Sequence, residues 1–116
     1  MDILKVFVVD DNELYAKMSM HHLSLNPDNE VESFKSGKEC LDALYKNPDL
    51  IFLDYSLPGM SGIEILRKIK ATHKEIPVVI VSGQEDVSTA VNLLKEGAYD
   101  YIVKDENAKE RMWNAT

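Results

Sequence analysis

The sequence predicts one α/β domain in which a parallel β-sheet lies between two layers of helices. At 116 residues, a single compact domain is the expected organisation. Five apolar runs recur at fairly even spacing, and three of them are continuous rather than alternating, which is typical of strands buried on both faces. Helical patterns fill the segments between these runs. Five strand–helix repeats predict right-handed βαβ units and a doubly wound, three-layer (βα)5 fold.

Five segments are predicted to form the strands. They cover residues 4–9, 31–34, 50–53, 78–81 and 101–103, and the second is the weakest. The first, third and fourth contain the uninterrupted apolar runs. Their continuous hydrophobicity indicates that helices cover both faces of the sheet at these strands.

Each segment after a strand carries the pattern of a helix. Ser36 with Glu39, and Ser61 with Glu64, have the spacing of a capping box, in which each side chain binds a free backbone amide of the first turn. Apolar residues with helical spacing mark all five segments: Leu14, Met18 and Leu25; Cys40, Leu41, Leu44 and Tyr45; Ile65, Leu66 and Ile69; Val87, Ala90, Val91 and Leu94; Ala108 and Met112. We expect the end of the chain to cut the last helix short.

The composition excludes several classes of function. The formal net charge is −7, so the domain is a poor candidate for binding nucleic acid, whose phosphates attract lysine and arginine. No apolar run approaches the roughly 20 residues of a membrane-spanning helix, and the acidic N-terminus is unlike a signal peptide. Cys40 is the only cysteine, which excludes an internal disulfide. We therefore expect a cytoplasmic protein that binds no membrane.

Polar residues stand just after four of the predicted strands. Asp10 and Asp11 follow the first strand, Asp54 the third, Ser82 the fourth and Lys104 the fifth. Because ligands of doubly wound sheets bind outside the carboxyl ends of the strands, we expect these side chains to share one rim. Residues 1–58 carry 11 acidic and 5 basic side chains, whereas residues 59–116 carry 9 and 8. The acidic excess therefore lies in the half that supplies the three aspartates.

The residue types at this rim suit phosphoryl chemistry. Three neighbouring carboxylates repel one another unless a cation neutralises them, and oxygen ligands favour a hard ion such as Mg²⁺. A hydroxyl and an ammonium suit a phosphoryl group, and an aspartate can act as the nucleophile in its transfer. Each residue also has a structural explanation by itself. Asp10 and Asp11 fit a helix cap, Asp54 and Ser82 fit turns, and Lys104 fits a solvated surface.

Four segments together resemble the receiver domain of bacterial two-component response regulators, over essentially the whole chain. Residues 8–12 (VVDDN) resemble the acidic pair of that family, and residues 53–62 (LDYSLPGMSG) resemble its phosphoacceptor segment, with proline and glycine four and eight residues after the aspartate. Residues 81–83 (VSG) resemble the switch hydroxyl with its small neighbour, and residues 97–104 (GAYDYIVK) resemble the segment that ends in the family's lysine. Each motif is weak alone, but the four in this order are specific.

The resemblance implies a role for each position. Asp54 would accept a phosphoryl group from a sensor histidine kinase or a phosphotransfer protein. Ser82 and Lys104 would contact the phosphoryl group, Lys104 would pair with Asp54 before phosphorylation, and the side chain of Tyr101 would follow the switch. The resemblance implies Mg²⁺, or Mn²⁺, as the cofactor, held by Asp10 (largely through water), Asp11, Asp54 and the backbone carbonyl of Ser56.

The resemblance also implies a fold and a mode of action. The fold would be a flavodoxin-like sheet with strand order 2-1-3-4-5, and the domain would be a switch that catalyses only its own phosphorylation and slow dephosphorylation. Phosphorylation would control an output domain, for example a transcriptional one. We expect residues 1–116 to be one receiver domain with the effector domain outside it. A homodimer would form through the fourth helix, the fifth strand and the fifth helix.

One position departs from the family pattern and leaves an alternative open. The family places a proline with a cis peptide bond after its lysine, but Asp105 follows Lys104 here. A cis bond before another residue costs about 2.5–4 kcal/mol, so either that strain is kept or the loop runs trans. We expect Asp105 to cap the last helix. The alternative function is a receiver-like interaction module that no longer takes phosphate. A magnesium-dependent phosphatase is disfavoured because that class has Asp-x-Asp after its first strand.

Overall fold

The computed structural model describes residues 2–116 as a five-stranded sheet with helices on both faces. The strands are β1 (Leu4–Val9), β2 (Asn29–Phe34), β3 (Leu50–Asp54), β4 (Val78–Ser82) and β5 (Asp100–Val103). The helices are α1 (Glu13–Ser24), α2 (Gly37–Asp42), α3 (Gly62–Thr72), α4 (Val87–Lys95) and α5 (Ala108–Ala115), with a 3₁₀ turn at Leu44–Lys46. The strand order is β2-β1-β3-β4-β5 and all neighbours are parallel. The doubly wound fold and its strand order are confirmed.

Both faces of the central strands are buried, which explains their continuous apolar sequence. In β1, Phe7 packs in a core cluster that includes Ile65 of α3. Its neighbour Val8 points to the opposite face and packs in a cluster with Leu23 of α1 and Met112 of α5. Every residue of β3 and β4 is buried. None of the helices between residues 2 and 116 has the length and hydrophobicity that a membrane crossing requires.

The residues that identify α1 in the sequence do not form its buried face. Leu14 is 69% exposed and Met18 is also exposed, whereas Ala16, Ser19 and Leu23 face the sheet. The buried face combines two small side chains with one large one, Leu23, so the spacing of large apolar residues does not identify it. Leu14 and Met18, one turn apart, therefore form an exposed apolar stripe on the part of α1 that follows the aspartates of the rim.

The same difference recurs in α4. Val87 is 78% exposed, and Val91 and Leu94 are also exposed, whereas Leu93 is fully buried. Apolar residues cover a wide arc of this helix, so helical spacing alone does not distinguish the part that contacts the sheet from the part that faces solvent. The outward arc leaves an apolar surface on α4 next to β5.

The second helix is shorter than its apolar pattern. It ends at Asp42, and the 3₁₀ turn that follows leaves Tyr45 exposed. Asn47 ends that turn in the left-handed region with φ of 56°, a conformation that asparagine tolerates better than most residues. Cys40 is fully buried in α2, and desolvation raises the pKa of its thiol to about 12. The thiol is therefore an inert core group.

Candidate functional site

The carboxyl ends of four strands bring the predicted site residues together. Asp10 follows β1 directly, Asp54 is the last residue of β3, Ser82 is the last residue of β4, and Lys104 follows β5. Parallel strands end at the same side of the sheet, so these residues share one rim. Asp10, Asp54 and Ser82 are buried, while Asp11 is exposed.

The three aspartates form one cluster of oxygen donors. Carboxylate oxygens of Asp10, Asp11 and Asp54 lie within 4.8 Å of one another. Two buried carboxylates and one exposed carboxylate match the preference of Mg²⁺ for a few acidic oxygens with room for water and phosphate oxygens. The donor set therefore fits a hard divalent cation.

Helix capping does not account for the aspartates after β1. The N-cap of α1 is Asn12, whose Oδ1 accepts a hydrogen bond from the Tyr15 N–H at 3.0 Å. Asp10 Oδ1 instead accepts a hydrogen bond from the Asn12 N–H at 2.9 Å, which fixes that carboxylate across the start of the loop. An asparagine directly before a helix is a signal that sequence reasoning had available.

Lys104 lies between two buried carboxylates. Its Nζ donates to Asp10 Oδ2 at 3.0 Å and is 3.5 Å from Asp54 Oδ1. The resemblance predicts the Asp54 contact, and the structure adds the shorter contact with Asp10. The Lys104 side chain is only 20% exposed, so solvent screens both interactions less than at the protein surface.

Burial and charge shift the pKa values at this site. Burial and the negative charge of Asp10 raise the pKa of Asp54, although Lys104 and the Ser56 N–H oppose the rise. Burial disfavours the charged form of Lys104, but its hydrogen bond with Asp10 and the charge of Asp54 outweigh burial and raise the pKa of Lys104. The side chain of Lys104 therefore stays protonated. The neighbouring Asp54 carboxyl group is costly to ionise unless a further cation binds.

We expect the Asp54→Asn variant to be more stable than the wild type at neutral pH without divalent cations. The folded-state pKa of Asp54 is raised above its ordinary value of 3.8, so its stabilising contribution is complete below that value and is lost as pH rises through the folded-state pKa. Asparagine resembles the neutral carboxyl group. The melting temperature of the Asp54→Asn variant should exceed the wild-type value by about 2–5 °C at pH 7. Melting curves recorded across acidic to neutral pH check this, because the difference should vanish in acid; a constant difference would contradict it.

Ser82 and Tyr101 meet at one loop residue. Ser82 Oγ accepts a hydrogen bond from the Gln84 N–H at 3.1 Å, and the Tyr101 hydroxyl donates to the Gln84 carbonyl oxygen at 2.7 Å. Gln84 lies in the loop between β4 and α4. The backbone of this residue therefore connects the buried hydroxyl at the rim with a tyrosine on β5. Sequence reasoning missed Gln84, since its role uses backbone atoms and leaves no side-chain signal.

The loop after β3 contacts both Asp54 and the start of α3. Ser56 N–H donates to Asp54 Oδ1 at 3.4 Å. Gly62 begins α3 against this loop, and a Cβ at this position would lie 2.9 Å from the Tyr55 Cα. The glycine of the phosphoacceptor segment is thus required by close backbone approach. Gly59 has φ of 85°, a left-handed conformation that suits the turn after Pro58.

Asp105 does not occupy the position predicted for it. The N-cap of α5 is Asn107, and Asp105 Oδ1 instead accepts a hydrogen bond from the Asn107 N–H at 2.9 Å. Its Oδ2 lies 3.7 Å from the Arg111 guanidinium. The helix begins later because Asp105 itself forms the preceding turn. Among residues 2–116 no peptide bond is cis, so the Lys104–Asp105 bond is trans.

A family model and individual relatives both relate this chain to response regulators. The matching family model is the response regulator receiver domain, over residues 6–115. The DNA-binding transcriptional regulator NtrC of Klebsiella pneumoniae is 42% identical over 73 residues, which are 62% of this chain and 16% of NtrC. The C4-dicarboxylate transport transcriptional regulatory protein DctD of Rhizobium meliloti is 35% identical over 100 residues, which are 85% of this chain and 22% of DctD. The matched part of the chain thus covers about a fifth of the length of these relatives.

Solved structures agree with this assignment. The receiver domain of NtrX from Brucella abortus has a TM-score of 0.84 and 34% identity, covering 95% of this chain and 93% of that one. The BeF3-activated DrrB receiver domain has a TM-score of 0.88 and 29% identity, covering 97% and 93%. A family model that matches nearly the whole chain and a solved receiver domain of this similarity lead to one conclusion: the chain belongs to the response regulator receiver domains.

Proposed function

We propose that this receiver domain is a phosphorylation-activated switch whose acceptor is Asp54. The observation that carries the proposal is the position of the Asp54 carboxylate, with Lys104 Nζ 3.5 Å away and two further aspartates within 4.8 Å. An ammonium and a group of carboxylates suited to a divalent cation lie beside this one carboxylate, and together they suit the charge neutralisation that phosphoryl transfer needs. Receiver domains are signalling domains, so the product of this chemistry is a changed conformation.

The chemistry is a transfer from phosphohistidine to aspartate. An Asp54 carboxylate oxygen attacks phosphorus, the bond from phosphorus to the imidazole nitrogen of the donor breaks, and its electron pair leaves with the imidazole. Lys104 neutralises charge on the phosphoryl oxygens. Asp11, Asp54, the Ser56 carbonyl and, largely through water, Asp10 would hold Mg²⁺ or Mn²⁺, which would supply further positive charge at these oxygens. In-line transfer needs little beyond this positioning and neutralisation.

The conformational change begins at Ser82. A phosphoryl oxygen on Asp54 accepts a hydrogen bond from the Ser82 hydroxyl and draws that side chain toward the phosphoryl group, away from the Gln84 N–H whose hydrogen bond Ser82 Oγ now accepts. Movement of Gln84 also breaks its carbonyl contact with the Tyr101 hydroxyl. The loop before α4 and the side chain of Tyr101 therefore change together. The exposed apolar side chains of α4 lie beside these two elements and provide the surface that reports the change.

We propose three partners for this switch. The phosphodonor is a sensor histidine kinase or phosphotransfer protein, and the apolar stripe of Leu14 and Met18 on α1, close to the exposed Asp11, suits its docking. The output is an effector domain of a longer protein, supported by relatives that are transcriptional regulators several times longer than this chain. A homodimer through α4, β5 and α5 would cover the apolar surface of α4. With a net charge of −7, the domain itself binds no nucleic acid.

An interaction module that takes no phosphate is less well supported. Its basis is the carboxylate at position 105, which stands where the family has proline. In the structure that carboxylate binds the Asn107 N–H and faces Arg111. It therefore leaves Lys104 paired with Asp10 and Asp54.

Beryllofluoride, a phosphoryl mimic, tests the switch. We expect Mg²⁺ with beryllofluoride to shift the backbone amide resonances of residues 82–86 and of β5 near Tyr101, and to leave the amides of β2, at the far edge of the sheet, unchanged. Mg²⁺ alone should affect mainly the loops that carry Asp10, Asp11 and Asp54. The proposal fails if beryllofluoride adds nothing to the Mg²⁺ spectrum.

A further inference from the structure

Tyr15 contacts the site lysine through its ring. Lys104 Nζ lies 4.3 Å from the centroid of the Tyr15 ring, within the range of a cation–π interaction. Tyr15 is the third residue of α1, and it is partly buried against the core cluster on the α1 and α5 side of the sheet. The ring therefore gives the ammonium an uncharged contact in addition to its carboxylate partners Asp10 and Asp54.

The position of Tyr15 is fixed by the loop that carries the aspartates. Its N–H donates to Asn12 Oδ1 at 3.0 Å, and the Asn12 N–H donates to Asp10 Oδ1 at 2.9 Å. Lys104 Nζ donates to the other oxygen of Asp10 at 3.0 Å. These contacts, with the ring over the ammonium, form a closed circuit of four residues. Displacement of any member disturbs the placement of Lys104.

The hydroxyl of Tyr15 contributes nothing visible to this arrangement. Among the residues that the structure describes, its Oη is buried and has no hydrogen-bond partner. Burial raises the pKa of Tyr15, so the group stays neutral. An unpaired buried hydroxyl is a cost rather than a gain in stability. The useful part of the side chain is therefore the aromatic face.

We propose that Tyr15 is a positioning residue that holds the Lys104 ammonium at the rim, an inference that rests on the proposed function. A lysine has a flexible four-carbon stem and needs contacts to keep one position. A further carboxylate would hold it but would repel an incoming phosphoryl group. A neutral aromatic face attracts the ammonium without adding charge or competing as a strong hydrogen-bond acceptor, so the N–H groups stay available to oxygen atoms.

The test compares Tyr15→Phe and Tyr15→Leu in the whole chain. With Mg²⁺ and acetyl phosphate, the Phe variant should be modified within about twofold of the wild-type rate, because the ring is kept. The Leu variant should be about three- to thirtyfold slower, since the cation–π contact is lost. A second readout needs no phosphodonor: the ring current should shift the NMR signals of the Lys104 methylenes next to Nζ in wild type and Phe variant, but not in the Leu variant.

A Lys104→Met background separates positioning from general damage to the fold. If Tyr15 acts through Lys104, adding Tyr15→Leu to that background should change the rate by less than about twofold. Equal slowing with and without Lys104 would overturn the proposal, as would a Leu variant as fast as the wild type. Absence of modification in the wild type would contradict the proposed function instead. The methylene shifts would then still decide whether the ring holds the ammonium.

Discussion

Replacing Asp54 with asparagine is expected to abolish phosphorylation completely. Asparagine keeps the size of the side chain, but its amide is not the oxygen nucleophile that phosphoryl transfer requires. Asp10 and Asp11 remain in the variant, so the neighbouring acidic groups are still present. The intact mass after incubation with Mg²⁺ and acetyl phosphate should rise by one phosphoryl group in the wild type and stay unchanged in the variant.

Asp42→Asn is a suitable control for this change. Asp42 is an exposed aspartate of α2 that pairs with Lys38 on the surface, and such pairs contribute little to stability. Its variant should be modified at the wild-type rate, with a similar melting temperature. If the Asp54→Asn variant were still modified, as the Asp42→Asn variant is expected to be, the acceptor would be another residue.

Replacing Lys104 with methionine is expected to slow phosphorylation about 100-fold. Methionine keeps much of the apolar stem but removes the charge that lies 3.0 Å from Asp10 and 3.5 Å from Asp54. Two buried carboxylates then face each other without a fixed cation, so the Mg²⁺-free variant should also lose about 2 kcal/mol of unfolding free energy. Mg²⁺ should restore more stability to this variant than to the wild type. Modification rates and denaturant titrations with and without Mg²⁺ measure both effects.

Lys46→Met provides the matched control for the lysine. Lys46 pairs with Glu32 at 2.9 Å, but about a third of its side chain is exposed and it lies outside the site. Loss of this pair should cost less than about 1 kcal/mol and leave the modification rate unchanged. If Lys104→Met were as fast as Lys46→Met, the ammonium at the rim would have no part in the chemistry.

The sheet and the placement of the site were predictable because they depend on patterns within single segments. A continuous apolar run such as 78–81 indicates a strand that is covered by helices on both faces. In a parallel sheet, the residues that follow such strands lie at the same rim. The three aspartates therefore lie together, as the sequence indicates. Segment patterns and topology suffice for that conclusion.

The remaining features depend on how segments pack against one another. Helical spacing identifies α1 and α4, but it does not reveal that Ala16 rather than Leu14 faces the sheet, or Leu93 rather than Leu94. Lys104 Nζ lies 0.5 Å closer to the nearest carboxylate oxygen of Asp10 than to that of Asp54. Such a small difference depends on how the strands and loops pack, so the sequence does not reveal it. Backbone links such as that of Gln84 also have no sequence signal.

The most direct test of the central claim is to identify the modified residue in the wild-type chain. The protein would be incubated with acetyl phosphate and Mg²⁺, and the acyl phosphate located by peptide mass spectrometry, with a parallel sample in excess chelator. A switch of the kind proposed carries one phosphoryl group on Asp54, and that group is absent when Mg²⁺ is removed. Modification at another residue, modification that survives chelation, or no modification at all would contradict it.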